Sequence, residues 1–267
     1  MMKCRTMIIM SATVFFFGCA TPARETPSHT PARIHTLEKE KIVEKPFNAD
    51  AYFSRGVVSY DSGQYSRAIE DFDQAVTLNP KYAEAYFNRG NAYAALGQYK
   101  RAIEDFDQTI RLDPKYAEAY LNRGAAYGKL GRCLREFEDY GQAIRLNPKY
   151  AKAYFNSGVA YRELDQWWAA IDEFHQAIRY DPKNARAHYN LGIAYGKLGQ
   201  HDQAISDYTK AIELDPTYAE AYNNRAIQYL NKKKYADALK DVKKAQDLGF
   251  QVHPTILEDF RLKPVSR

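Results

Sequence analysis

Prolines fall at 46, 80, 114, 148, 182 and 216, each 34 residues after the last. A fixed period of this length constrains the chain more than any other feature. It implies an array in which each unit is one supersecondary element that must stack on its neighbours to bury an apolar face. The cleanest unit is residues 81–114, KYAEAYFNRGNAYAALGQYKRAIEDFDQTIRLDP. Its apolar and small residues fall into two helical runs over 83–96 and 99–112, separated by Gly97-Gln98. Asp113-Pro114 ends the second run, because proline disfavours helix in the residue before it. The unit is therefore a helical hairpin, and six copies are expected at 47–80, 81–114, 115–148, 149–182, 183–216 and 217–250.

The residues at fixed offsets carry a family likeness. Tyr86-x2-Arg89-Gly90-x2-Tyr93, then Ala102-x3-Phe106, then Pro114, resembles the tetratricopeptide repeat (TPR) signature. That resemblance implies an all-α, right-handed solenoid of six helix-turn-helix repeats whose first helices line a concave face. Such faces bind peptide segments of partner proteins, so the resemblance implies no chemistry and no cofactor.

Other columns describe packing. Small residues recur at Gly56, Gly90, Gly124, Gly158, Gly192 and Ala226, and are read as facing Ala68, Ala102, Glu136, Ala170, Ala204 and Ala238 at tight helix crossings. Glu136 breaks the second row and is expected to be strained or desolvated there. Arg55, Arg89, Arg123 and Arg225 accompany Asp71, Asp105, Asp139 and Asp241, which predicts an ion pair inside each of those hairpins. Leu134 and Trp168 stand at a normally solvent-facing offset and suggest an outer apolar patch.

The flanks read differently. Residues 1–18 have a basic start and a short apolar run, too short to span a bilayer comfortably, and read as a signal peptide. Phe16-Phe17-Gly18-Cys19 resembles a bacterial lipoprotein box, which implies acylation of Cys19 and a membrane anchor. Ala20 follows where an inner-membrane retention signal would place Asp, so the outer membrane, facing the periplasm, is the expected location; a secreted or periplasmic product is the alternative. Residues 19–46 are Pro/Thr-rich, then charged, and read as a tether. Residues 251–267 are expected to cap the last hairpin with an amphipathic helix over 253–262. Cys4 leaves with the leader and Cys19 is blocked by lipid, leaving Cys133 without an intramolecular partner and no set of metal ligands.

A formal charge of +5 is too mild to point to nucleic acid. No Gly-rich phosphate loop, G-x-S-x-G or H-E-x-x-H is present, so neither an enzyme nor a small-molecule substrate is indicated. His188 and His201 occupy offsets held elsewhere by aromatic residues and read as packing side chains.

The candidate site lies along the first helices. Counting each from its first residue (Ala83 in the second copy), positions 4, 7, 8 and 11 face one way and 2, 5, 6, 9 and 13 the other. Position 6 reads Ser54, Asn88, Asn122, Asn156, Asn190, Asn224, a row of amides able to donate to and accept from a peptide backbone. Such a row resembles the asparagine ladder in the TPR superhelix of O-GlcNAc transferases. Position 5 reads Phe53, Phe87, Leu121, Phe155, Tyr189, Asn223, an apolar row for ligand side chains or for packing between first helices. Asp50, Glu84 and Glu118 give way to Lys129, Lys152, Arg162, Arg186 and Lys197, so an extended acidic or C-terminal segment should lie over copies three to five. Two function classes follow: an envelope adaptor binding particular protein partners, and a periplasmic holdase-like chaperone of low sequence preference.

Overall fold

The computed structural model describes residues 48–254, which form twelve α-helices and no strand among them. They pair as α1 (Ala49–Asp61) with α2 (Tyr65–Leu78), α3 (Ala83–Ala95) with α4 (Tyr99–Leu112), and α5 (Ala117–Lys129) with α6 (Cys133–Leu146). Then come α7 (Ala151–Glu163) with α8 (Trp167–Tyr180), α9 (Ala185–Lys197) with α10 (His201–Leu214), and α11 (Ala219–Asn231) with α12 (Tyr235–Asp247). The expected signal peptide, tether and most of the capping segment lie outside the described residues. Within them, Val252 already packs beside Ala226, Ala238 and Val242 of the last hairpin.

Each hairpin turn needs one residue in the left-handed region, because the first helix must end and reverse within three residues. Glycine takes that place at Gly97 (φ 72°), where the Gln98 N–H reaches back to the Tyr93 carbonyl at 2.8 Å. Asp165 (φ 58°) and Lys233 (φ 60°) do so without the freedom of glycine. Between hairpins, the residue before four of the prolines also works as a turn. Asp113 accepts from the Lys115 N–H at 2.9 Å, and Asn79, Asn147 and Asp215 do likewise for Lys81, Lys149 and Thr217.

Helix packing corrects one reading of the columns. The glycines of the first helices face aromatic rings, not the alanine row. A Cβ built on Gly90 would lie 2.8 Å from Cε1 of Phe106, and one on Gly124 would lie 2.9 Å from Cε1 of Tyr140. Phe72, Phe106 and Phe174 are fully buried by this arrangement. Glu136 instead lies over Gly128, whose absent side chain leaves room for the carboxylate. Cys133 begins α6, and whether it has an intramolecular partner turns on Cys4 and Cys19, which lie outside the described residues.

The position-5 row belongs to the core. Phe87 packs its ring 5.9 Å from Phe106 of its own hairpin and 4.9 Å from Tyr116 of the next. Phe53 and Tyr189 repeat that geometry, and Leu121 is buried. This row joins hairpin to hairpin, as the packing alternative has it, while Phe53, Phe87, Phe155 and Tyr189 stay half-buried. Successive first helices also touch one another (α1–α3, α3–α5, α5–α7, α7–α9, α9–α11), so they form the inner rank of the stack.

Candidate functional site on the inner helical rank

The four expected ion pairs are present. Arg89 donates from Nε and Nη2 to the two oxygens of Asp105 at 2.8 and 2.6 Å, and Arg55, Arg123 and Arg225 engage Asp71, Asp139 and Asp241 in the same way. Three of these arginines make a further bond, to the preceding hairpin. Arg89 Nη1 reaches back to Asp73 of the preceding hairpin at 2.6 Å, Arg123 to Asp107 at 2.6 Å, and Arg225 to the Thr209 hydroxyl at 2.8 Å. The signal was visible in the spacing, since Asp73 and Asp105 stand 16 residues on either side of Arg89. Arg89, Arg123 and Arg225 thereby fix α3, α5 and α11 against both flanking second helices and so position what those helices present inward.

On the inner rank, position 6 is not uniform. Asn88 donates to the Glu84 carbonyl at 2.8 Å, and Asn122 donates to Asn91 Oδ1 of the neighbouring first helix at 2.8 Å. Asn224 donates to the Tyr189 hydroxyl at 3.0 Å and accepts from Asn223 at 3.3 Å. Asn156 is half-buried with no side-chain hydrogen bond among the described residues. Asn190 departs from the expectation: it is 6% exposed, donates to the Arg186 carbonyl at 2.7 Å and accepts from Arg162 Nη1 at 2.6 Å. An amide carries two donor hydrogens and an acceptor oxygen with two lone pairs, so Asn88, Asn122, Asn156 and Asn224 all retain capacity for a ligand. Asn190 is sealed into the wall.

The cations divide likewise. Lys129, Lys152 and Lys197 are exposed. Arg162 is committed to Asn190, and exposed Arg186 lies 5.4 Å over the Phe155 ring. Acidic Asp50, Glu84 and Glu118 are exposed on the first three hairpins, and Glu220 restores an acid on the last. The inner rank thus carries a basic segment bounded by acids at both ends. Both packing histidines are hydrogen-bonded, His188 to Asp207 at 3.2 Å and His201 to Gln228 at 2.8 Å.

Comparison with known proteins agrees with this architecture. Tetratricopeptide repeat models match residues 117–150, 140–172, 185–218 and 207–240, and a TPR repeat model matches 56–97, 90–131 and 158–199. No curated protein matches the chain. Among solved structures, MamA is similar at 31% identity over 60% of this chain and 94% of its own, with a TM-score of 0.56. A tetratricopeptide repeat protein from Parabacteroides merdae shares the fold at 21% identity over 82% of this chain and 85% of its own, with a TM-score of 0.59. YrrB, a TPR protein with an unusual peptide-binding site, shares it at 23% identity over 73% and 98%, with a TM-score of 0.57. Six stacked helical hairpins, the arginine-stitched signature columns and repeat models running without a break from 56 to 240 lead to one conclusion: the chain belongs to the tetratricopeptide repeat family.

Proposed function

We propose that this chain is a non-catalytic scaffold whose inner helical rank binds extended segments of partner proteins. One observation carries the reading: consecutive first helices present Asn88, Asn122 and Asn156 at one register position, each with unspent hydrogen-bonding capacity. Side-chain amides at a repeating interval suit a peptide backbone of any sequence. Lys129, Lys152 and Lys197, with Arg186 beside them, favour acidic residues or a C-terminal carboxylate over hairpins three to five. Asn122→Ala combined with Asn156→Ala should abolish capture of the partner from native envelope while leaving helicity unchanged. Reversal of charge at Lys152 and Arg186 should weaken capture more at low salt than at high. Parent-like binding by both variants removes the inner rank as the site. Capture of one or two stoichiometric partners supports an adaptor, whereas many substoichiometric ones support a holdase.

The cell-envelope setting is part of the proposal and rests on the leader alone. Lipidation at Cys19 would hold the array on the outer membrane, facing the periplasm, through the 19–46 segment. Metabolic labelling with a palmitate analogue should mark the parent and not Cys19→Ala, and the parent should fractionate with the outer membrane. An unlabelled, freely soluble parent protein overturns the anchor.

A further inference from the structure

The fourth hairpin keeps the walls of the arginine site but not the arginine. In hairpins one, two, three and six the guanidinium lies 5.2–5.7 Å over the ring of a tyrosine one turn earlier (Tyr52, Tyr86, Tyr120, Tyr222) and pairs with an aspartate of the second helix. In hairpins three and six it also lies within 6 Å of a second tyrosine, at 5.9 Å from Tyr127 and 5.8 Å from Tyr229. The equivalents in hairpin four are Tyr154, Tyr161 and, in place of the aspartate, Glu173. At the arginine position stands Ser157, and where Asp73 and Asp107 serve the next hairpin's arginine stands Gly141.

Glu173 is the consequence. Its Oε2 is buried with no hydrogen-bond partner, and only the Ser157 hydroxyl favours its charged form. Arg145, close to Gly141, turns to Gln142 at 2.9 and 2.7 Å instead. Hairpin five also lacks the arginine, yet there Leu191 fills the space and His188 bonds Asp207 at 3.2 Å. Hairpin four has no such substitute. Tyr154 stacks on Tyr180 at 5.7 Å and Tyr161 packs tilted on Phe137 at 4.5 Å, so neither ring has a cation over it among the described residues.

We propose that Tyr154, Ser157, Tyr161 and Glu173 form a receptor for a guanidinium group, occupied by an arginine side chain of a partner protein. Four copies within the same chain show how such a group is held: bidentate on the carboxylate and layered on a tyrosine face. Glu173 is one methylene longer than the aspartates, which extends its reach toward a group arriving from outside. Gly141 removes the side chain that covers this edge in the preceding hairpins. The receptor is separate from the inner-rank amides, so Asn122→Ala with Asn156→Ala should leave it intact, and failure of one site is distinguishable from failure of the other.

N-acetyl-arginine amide is the probe, with N-acetyl-citrulline amide as its neutral isostere, titrated into the full-length protein while amide NMR resonances are followed. Residues 154–161 and 173 should shift saturably with arginine and not with citrulline. Glu173→Gln should weaken that response ~10-fold or more, as expected for loss of a charged hydrogen bond. Ser157→Arg should fold, raise the melting temperature and abolish the response by filling the site from within. No saturable shift, an equal shift with citrulline, or a response retained in Glu173→Gln overturns the proposal. So does a Ser157→Arg variant that folds and still responds.

Discussion

A carboxylate placed between packed helices is tolerated only where its surroundings make room and share the charge, and Glu136 has limited help on both counts. Gly128 makes the room, since a Cβ there would come within 2.4 Å of Oε1. The Tyr140 hydroxyl donates at 3.2 Å and Lys129 of α5 favours the anion, while Glu163 of α7 opposes it. Burial outweighs these and pushes the carboxyl up to about 7 from an ordinary 4.5. Burial raises Glu173 to about 7 as well. A carboxyl that holds its proton more tightly when folded adds stability that is fully present below about 4.5 and is lost as pH rises through about 7. The melting temperature should therefore fall between pH 5 and pH 8, and Glu136→Gln should flatten part of that slope. Glu136→Ala should raise stability at pH 8 by ~1–3 kcal/mol, the cost of burying a polar group poorly served. A variant no more stable than the parent at pH 8 would show that Tyr140 and Lys129 already offset the burial. Gly128→Ala should displace the Glu136 carboxylate, the far end of a flexible side chain, and so flatten the pH slope as Glu136→Gln does.

At the scale of the helical hairpin, the arginine is the side chain that joins elements. Asp105 is 4% exposed and its partner Arg89 is largely enclosed, so removing the cation strands a buried anion. Arg89→Ala should cost ~3–5 kcal/mol, read from the urea midpoint. Arg55, whose side chain is 44% exposed, should cost less when changed to Ala. The turn offers the opposite experiment. Lys233 adopts φ 60°, a conformation costing a non-glycine residue ~1–2 kcal/mol, so Lys233→Gly should stabilise the last hairpin by up to that amount. The proline period and the turn glycines made the hairpin legible in the sequence, because each reports on backbone geometry. The pairing of Arg89 with Asp105 was legible for the same reason, as both lie in one unit. What could not be read was which neighbour covers a given face. A helical wheel left Phe87 to either a ligand or a neighbouring helix, and Tyr116 of the next unit packs on it. The wheel gave Asn190 to the groove, although Arg162 from the hairpin before closes over it. Both outcomes turn on contacts between units, and a column of aligned copies records only what repeats within one.

For the whole molecule, stability of such an array is a sum over hairpins and the joints between them, so the weakest joint decides where it parts. That joint lies between α6 and α7. It is the thinnest contact between a second helix and the first helix that follows. It also lacks the arginine stitch, because Gly141 and Ser157 stand where Asp107 and Arg123 pair one step earlier. Glu136 faces the like charge of Glu163 across it. The joint before Leu191 has no stitch either, yet its packing is as extensive as in the first hairpins and Leu191 is 1% exposed. Hairpins one to three and four to six should therefore unfold as two blocks, with hydrogen exchange fastest in α6 and at the start of α7 when the array opens below its global transition. Gly141→Asp together with Ser157→Arg restores the residues used at the earlier joints and should merge the two transitions into one, raising the lower midpoint. A parent that unfolds in a single step, with exchange in α6 and α7 no faster than in α3 and α4, would place the weak point elsewhere. The same double variant bears on function, because a joint that yields lets the inner rank of hairpins three and four change its spacing around a bound segment. If yielding serves binding, stiffening the joint should slow both association and release of the partner while the amides themselves are untouched.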